Sequence, residues 1–195
     1  MSSLTPSGHN WQPHYVLKRQ IFKLVGSNFF VYDSSGTLQF FVHQKGFKLK
    51  EDVRVYTNES KTQEVMRIAA RKVMDFSGAY DVFDSATNER VGVLKRKGWR
   101  SIARDEWTVC GPQEQEIGTL IEDNLALALL RRLATNLIPQ NYDLLINGVQ
   151  VMDFKQNFNP FSYHLNIDFK QLGAMEPRLG IACAIMLASM EGRQS

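Results

Sequence analysis

Residues 177–191 read PRLGIACAIMLASME, an almost uniformly apolar stretch at the end of the chain. A helix that is apolar on every side needs either a sheath of protein or a membrane around it. The uninterrupted apolar part, Leu179 to Met190, is about 12 residues long, or ~18 Å of helix, against a hydrocarbon core of ~30 Å. It is too short to span a bilayer. The segment is therefore expected to be a plug, and the rest of the chain must supply its wall.

Working back from that plug, the sequence offers strands. Apolar alternation, a polar turn and a second alternating run occur together in FFVYDSSGTLQFFV from Phe29, YDVFDSATNERVGVL from Tyr80, WTVCGPQEQEIGTLI from Trp107 and YDLLINGVQVMDF from Tyr142. Asp33 to Gly36 and Asn147-Gly148 carry the side chains that tight hairpin turns require. In EVMRIAARKV, Met66, Ile68 and Ala70 alternate with Arg67 and Arg71, which marks a strand buried on one face. The alternation predicts about twelve strands, near 14–22, 28–33, 37–44, 52–57, 64–73, 79–84, 91–97, 101–110, 116–122, 141–147, 149–157 and 161–169. Such regular spacing indicates a sandwich or barrel, and the apolar helix selects a closed barrel, which also removes exposed strand edges. The predicted class is mainly β (α+β), a closed twelve-stranded antiparallel barrel enclosing the C-terminal helix. Residues 124–138, NLALALLRRLATNLI, add a further predicted helix stopped by Pro139.

Composition narrows the function classes. The chain has 195 residues, 44% hydrophobic and 22% charged, and these globular values suit one domain, predicted over 14–192. Its formal charge of +3 is too mild for a phosphate-tracking groove, and no RNA-recognition signature or basic helix occurs, so nucleic acid is not an expected partner. Residues 1–13, MSSLTPSGHNWQP, have no basic n-region or apolar h-region and read as a flexible lead-in. They also lack a glycine at position 2 and any cysteine for lipidation, so a cytoplasmic location, with peripheral membrane attachment as an option, is expected. Cys110 and Cys183 form no disulfide framework, although a bond between them stays open at this stage.

The runs VYDSSG to FFV, FSGAYDVFDSATNERVG, KRKGWRSIARDEW and RLGIACAIMLASMEGRQ resemble the LURP-one-related and phospholipid-scramblase-like proteins of the tubby-like superfamily. The resemblance extends over about residues 14–192. It implies a tubby-like barrel of twelve strands around a central C-terminal helix, membrane-surface binding of phosphoinositide-like head groups and a link to phospholipid scrambling. The chain departs from the scramblases in lacking a proline-rich N-terminal region and a palmitoylated cysteine-rich stretch. Where they bind calcium, HLNIDFKQLGAMEPR supplies only Asp168 and Glu176, fewer carboxylates than a calcium loop requires. No cofactor or metal is expected.

The densest basic stretch is KRKGWRSIAR, with Lys95, Arg96, Lys97, Arg100 and Arg104 around Trp99. Lys95 and Lys97 on one strand face would stand about 7 Å apart, within reach of one multiply charged head group. Trp99 suits the head-group level of a bilayer. Near an anionic surface each cation adds about 1 kcal/mol, so five give at most ~5 kcal/mol, enough for weak, salt-sensitive attachment. Asp105 and Glu106 could instead neutralise the stretch, leaving a solvated face. The helix 124–138, with Leu129, Arg131, Arg132 and Leu133, either caps one barrel end or rests on lipid. Lys45, Lys48 and Lys50 around Phe47 read as ordinary surface, as do Arg67 and Arg71.

Catalytic signals are sparse. His9, His14, His43 and His164 are scattered, and no metal-ligand spacing, P-loop, dinucleotide fingerprint or nucleophile elbow occurs. The leading expectation is a non-catalytic barrel binding anionic phospholipid. A module binding an unknown protein partner is the first alternative, and a ligand binder or enzyme with His43 or His164 in a pocket at the barrel mouth is the second.

Overall fold

The structure, a computed structural model, describes residues 9–22, 26–45, 52–71, 78–97, 106–123, 139–157 and 162–191. Its strands are β1 (His14–Phe22), β2 (Gly26–Asp33), β3 (Leu38–Lys45), β4 (Val53–Tyr56), β5 (Glu64–Ala70) and β6 (Ala79–Asp84). They continue with β7 (Arg90–Arg96), β8 (Glu106–Cys110), β9 (Glu116–Glu122), β10 (Asn141–Ile146), β11 (Val149–Gln156) and β12 (Tyr163–Phe169). Each strand pairs antiparallel with its neighbour in the chain, and β12 returns to β1 to close the barrel. The chain is mainly β, with one helix among its described residues, α1 (Pro177–Glu191). The strands lie within a few residues of the positions that alternation predicts. The predicted helix 124–138 and the first part of the strand expected at 101–110 lie outside the described residues.

Turn chemistry sets the register. Asn147 (φ 51°) and Gly148 (φ 77°) both adopt the left-handed conformation that a two-residue hairpin demands. At the β2–β3 turn, the Asp33 carboxylate accepts hydrogen bonds from the Ser35 amide at 2.9 Å, the Ser35 hydroxyl at 2.7 Å and the Thr37 amide at 2.9 Å.

Alternation along each strand then builds two faces. Inward residues meet their partners directly, as in Leu17 opposite Val31 and Leu165, Leu94 opposite Val109, and Leu144 opposite Leu120 and Met152. They form one apolar cluster with Leu179, Ile181, Ala182, Cys183, Ala184, Ile185, Met186, Leu187 and Ala188 of α1. Every described side chain from Arg178 to Ser189 is buried. Glycine permits close approach on two sides of the helix. A Cβ at Gly180 would lie 2.6 Å from Met152, and one at Gly92 of β7 would lie 2.9 Å from the Leu179 methyl carbons. Trp11, ahead of β1, joins the same cluster and stacks on Phe40 with ring centres 5.6 Å apart.

Polar groups fix both ends of α1. Arg178 is buried and donates to Asp84 at the end of β6 and, at 2.9 Å, to Glu176. Asp84 also accepts from the amides of Ala86 at 2.7 Å and Thr87 at 3.0 Å. At the other end Arg19 donates to the Ala188 carbonyl at 2.8 Å, which satisfies an acceptor that the last turn leaves unpaired. No helix among the described residues is long and apolar enough to cross a membrane.

The disulfide left open by the sequence does not form, since both cysteines are free and buried. Cys183 belongs to α1, whereas Cys110 stands in register with Val93, on the strand face opposite the inward Leu94 and Val109. Complete burial pushes the Cys183 thiol up to about 12, so it is an inert core residue.

Candidate functional site

The outer face of β5 to β7 gathers a close set of charges. Alternation sends Asp81 and Lys95 outward, while Arg71 follows β5 and its amide still bonds the Ala79 carbonyl at 2.9 Å. Arg71 grips Asp81 with two hydrogen bonds, Nε at 2.7 Å and Nη2 at 2.6 Å, the fork geometry only a guanidinium provides. The β8–β9 turn then folds back over this face and delivers Glu114, held at φ 65°. The Glu114 carboxylate takes Arg71 at 2.8 and 3.2 Å, Arg90 at 3.3 Å and Lys95 at 2.9 Å. Arg90 also reaches Asp81 at 3.4 Å and donates to the Pro112 carbonyl at 2.8 Å. Three cations thus meet two carboxylates, an excess of one positive charge, with all three cations about one-third exposed.

The electrostatics follow from these contacts. The Arg71 hydrogen bond, then that of Lys95, holds the Glu114 carboxyl down at about 2. Asp81 lies below the usual carboxylate range, chiefly through Arg71, and Arg71 is raised by Asp81 and then Glu114. Beneath the network, Val93 and Cys110 face outward yet are buried. Burial is the main force raising the Cys110 thiol, so the covered sulfur is a packing group.

The basic stretch predicted as a head-group site is divided by this arrangement. Lys95 and Lys97 share the outer face, but Lys95 bonds Glu114 and Lys97 bonds Glu106 at 2.6 Å. Glu106 is therefore a neutralising partner of the kind the sequence allowed. Arg96 stands in register with the inward-facing Trp107, on the opposite side of the strand. Trp99, Arg100, Arg104 and Asp105 lie outside the described residues, as do Phe47, Lys48, Lys50, Leu129, Arg131, Arg132 and Leu133; Lys45 is described only as part of β3. Arg71, read from sequence as ordinary surface, is instead the hub of the network. Arg90 and Glu114 carried no signal, because only the fold-back of the turn brings them to Lys95.

A contrasting row begins three strands from β7, on β10, and runs to β1. His14, Asp168, Asp153 and Asp143 stand directly opposite one another across β1, β12, β11 and β10. His14 bonds Asp168 at 2.6 Å and Lys155 bonds Asp153 at 2.6 Å. Burial, with Asp123 and Asp153 nearby, pushes the Asp143 carboxyl up. The two carboxylates weighed for calcium have separate partners: Asp168 has His14 and Glu176 has Arg178. Among the described residues no group of three His, Cys, Asp or Glu side chains could hold a metal ion.

A cavity of about 420 Å³ opens at the mouth near the start of α1, between Pro112, Ile117, Ile146, Met175 and Leu179. Neither His43 nor His164 lines it. His43 is hydrogen-bonded to Asn28 at 2.7 Å, and burial lowers the pKa of His164.

Residues 38–176, well over half of the chain, match the family model described as LURP-one-related. The match runs from the start of β3 to the residue before α1, and no curated protein or solved structure matches the chain.

Proposed function

Because the chain belongs to the LURP-one-related family, we propose that it is a non-catalytic, tubby-like barrel built around its terminal helix that binds anionic phospholipid head groups at a membrane surface. The observation that carries this reading is the convergence of Arg71, Arg90 and Lys95 on a single carboxylate, on a rigid outer sheet face and within reach of solvent. Guanidinium forks beside an ammonium match the oxygens of a phosphate monoester. The row on β1 and β10 to β12, where Asp143, Asp153 and Asp168 outnumber Lys155 and Lys170 by one, favours turning the cations toward the lipid. Trp99, Arg100 and Arg104 belong to this proposal on their sequence alone. Kinship with scramblase-like and tubby-like proteins belongs to this proposal and is supported by the strand count, the closed order and the buried helix.

The test is sedimentation with anionic and neutral vesicles at low and high salt. Binding should require anionic lipid and weaken as salt rises. The pair Lys95→Glu with Lys97→Glu should keep the fold and lower affinity about tenfold or more, given ~1 kcal/mol per basic residue near the surface. Binding that ignores both salt and charge reversal sinks the reading. That result would favour a protein partner at the barrel mouth, where Val149 is 52% exposed beside the Asn147-Gly148 turn.

A further inference from the structure

Glu114 occupies its site in the manner of a bound ligand. Its two oxygens take three cations from two different strand segments, yet it arrives on a hairpin turn rather than from the sheet itself. Two of the three cations keep a carboxylate partner without Glu114. Arg71 is clamped to Asp81, and Arg90 reaches Asp81 as well as the Pro112 carbonyl of the same turn, while the Lys95 backbone is set by β7 pairing with Ala79 and Thr108 and its ammonium meets Glu114. Removing the Glu114 carboxylate would leave three cations facing one carboxylate, an excess of two positive charges. A carboxylate supplies only one negative charge to that cradle, whereas a phosphate monoester supplies close to two.

From this we propose that Glu114 is a built-in plug in a phosphomonoester site formed by Arg71, Arg90 and Lys95, and that a ligand carrying such a group binds by displacing it. The inference rests on the lipid-binding reading and adds its regulation: the resting barrel is partly self-inhibited by its own β8–β9 turn. A tethered carboxylate competes at an effective concentration in the millimolar range, so it rejects single weak anions and yields to clustered phosphates. Acid does not release the plug near neutrality, because the carboxyl titrates at about 2. Displacement by ligand is the operative route.

The experiment compares the full chain with Glu114→Gln and Glu116→Gln on vesicles containing phosphatidylinositol bisphosphate, with soluble inositol trisphosphate and inorganic phosphate as separate arms. Glu116 is exposed two residues away, so its replacement changes net charge equally without opening the site. Glu114→Gln should tighten binding about tenfold if the plug is in place roughly nine-tenths of the time, and Glu116→Gln should change it less than about twofold. Adding Lys95→Gln to Glu114→Gln should abolish the gain, with thermal melts confirming that each variant is folded. Tightening in the soluble arm as well assigns the site to the phosphate group, and tightening on vesicles alone assigns it to the membrane-presented head group; both support the plug.

Equal effects of Glu114→Gln and Glu116→Gln overturn the plug while leaving lipid binding in place. So does wild-type binding that Glu114→Gln fails to tighten, or a gain that survives loss of Lys95. Failure of wild type and Glu114→Gln alike to bind any probe overturns both the plug and the reading beneath it.

Discussion

Arg178 shows how a single side chain can tie the helix to its wall. It is buried at the start of α1, with Asp84 and Glu176 as its partners. Burial alone would raise the Asp84 carboxyl, but the amides of Thr87 and Ala86 together with Arg178 outweigh it, and the group lies below its usual value of 3.8. Its contribution to stability is therefore complete above about pH 4 and lost as pH falls through the lower folded value. Replacing Arg178 by Met should cost about 3–5 kcal/mol at neutral pH, because Asp84 would be left buried without its cation. Chemical denaturation should show that deficit shrinking below pH 4, where Asp84 protonates. A loss under about 1 kcal/mol at neutral pH would refute the argument. None of this was legible in the sequence, where Arg178 is one basic residue before an apolar run. The Asn147-Gly148 turn was legible, since its backbone requirement is local. Glu114, Arg71 and Trp11 were not, because their partners lie on other strands and only the register selects them.

At the scale of elements, the contact between β7 and α1 depends on Gly92. A Cβ there would sit 2.4 Å from the Cys110 carbonyl oxygen as well as against Leu179. The carbonyl is backbone in the neighbouring strand and cannot swing aside. Gly92→Ala should cost about 1–3 kcal/mol by overpacking, whereas Gly173→Ala, with nothing within 4 Å of its new atom, should be close to neutral in the same denaturation assay. Equal stability of the two variants would mean that the helix can shift off β7. Placing a carboxylate on the helix is harsher. Ile185 is fully buried, so Ile185→Asp should abolish cooperative folding, and a soluble, sharply melting variant would disprove the buried packing of α1. The helix and most strands were readable because both rest on periodicity, which one chain displays by itself. The split of Lys95 and Arg96 onto opposite faces was latent in the same period of two, but their partners were not.

For the whole molecule, the charge distribution favours attachment over passage. Apolar side chains fill the space between the strands and α1, and the outward faces carry ion pairs on both sides of the barrel. A lipid head group crossing a bilayer needs a continuous polar path, whereas the core cluster among the described residues is apolar. Reconstituted protein should therefore leave an inner-leaflet fluorescent lipid protected from dithionite. Rapid loss of that signal would overturn surface attachment as the whole account. The seam between β1 and β12 also bears on how the molecule is made. The first strand waits for β12, and α1 follows the strand that completes the ring. During synthesis on the ribosome the growing ribbon keeps two unpaired margins until β12 emerges and pairs with β1. A chain cut before β12 should therefore expose both margins and be prone to aggregate.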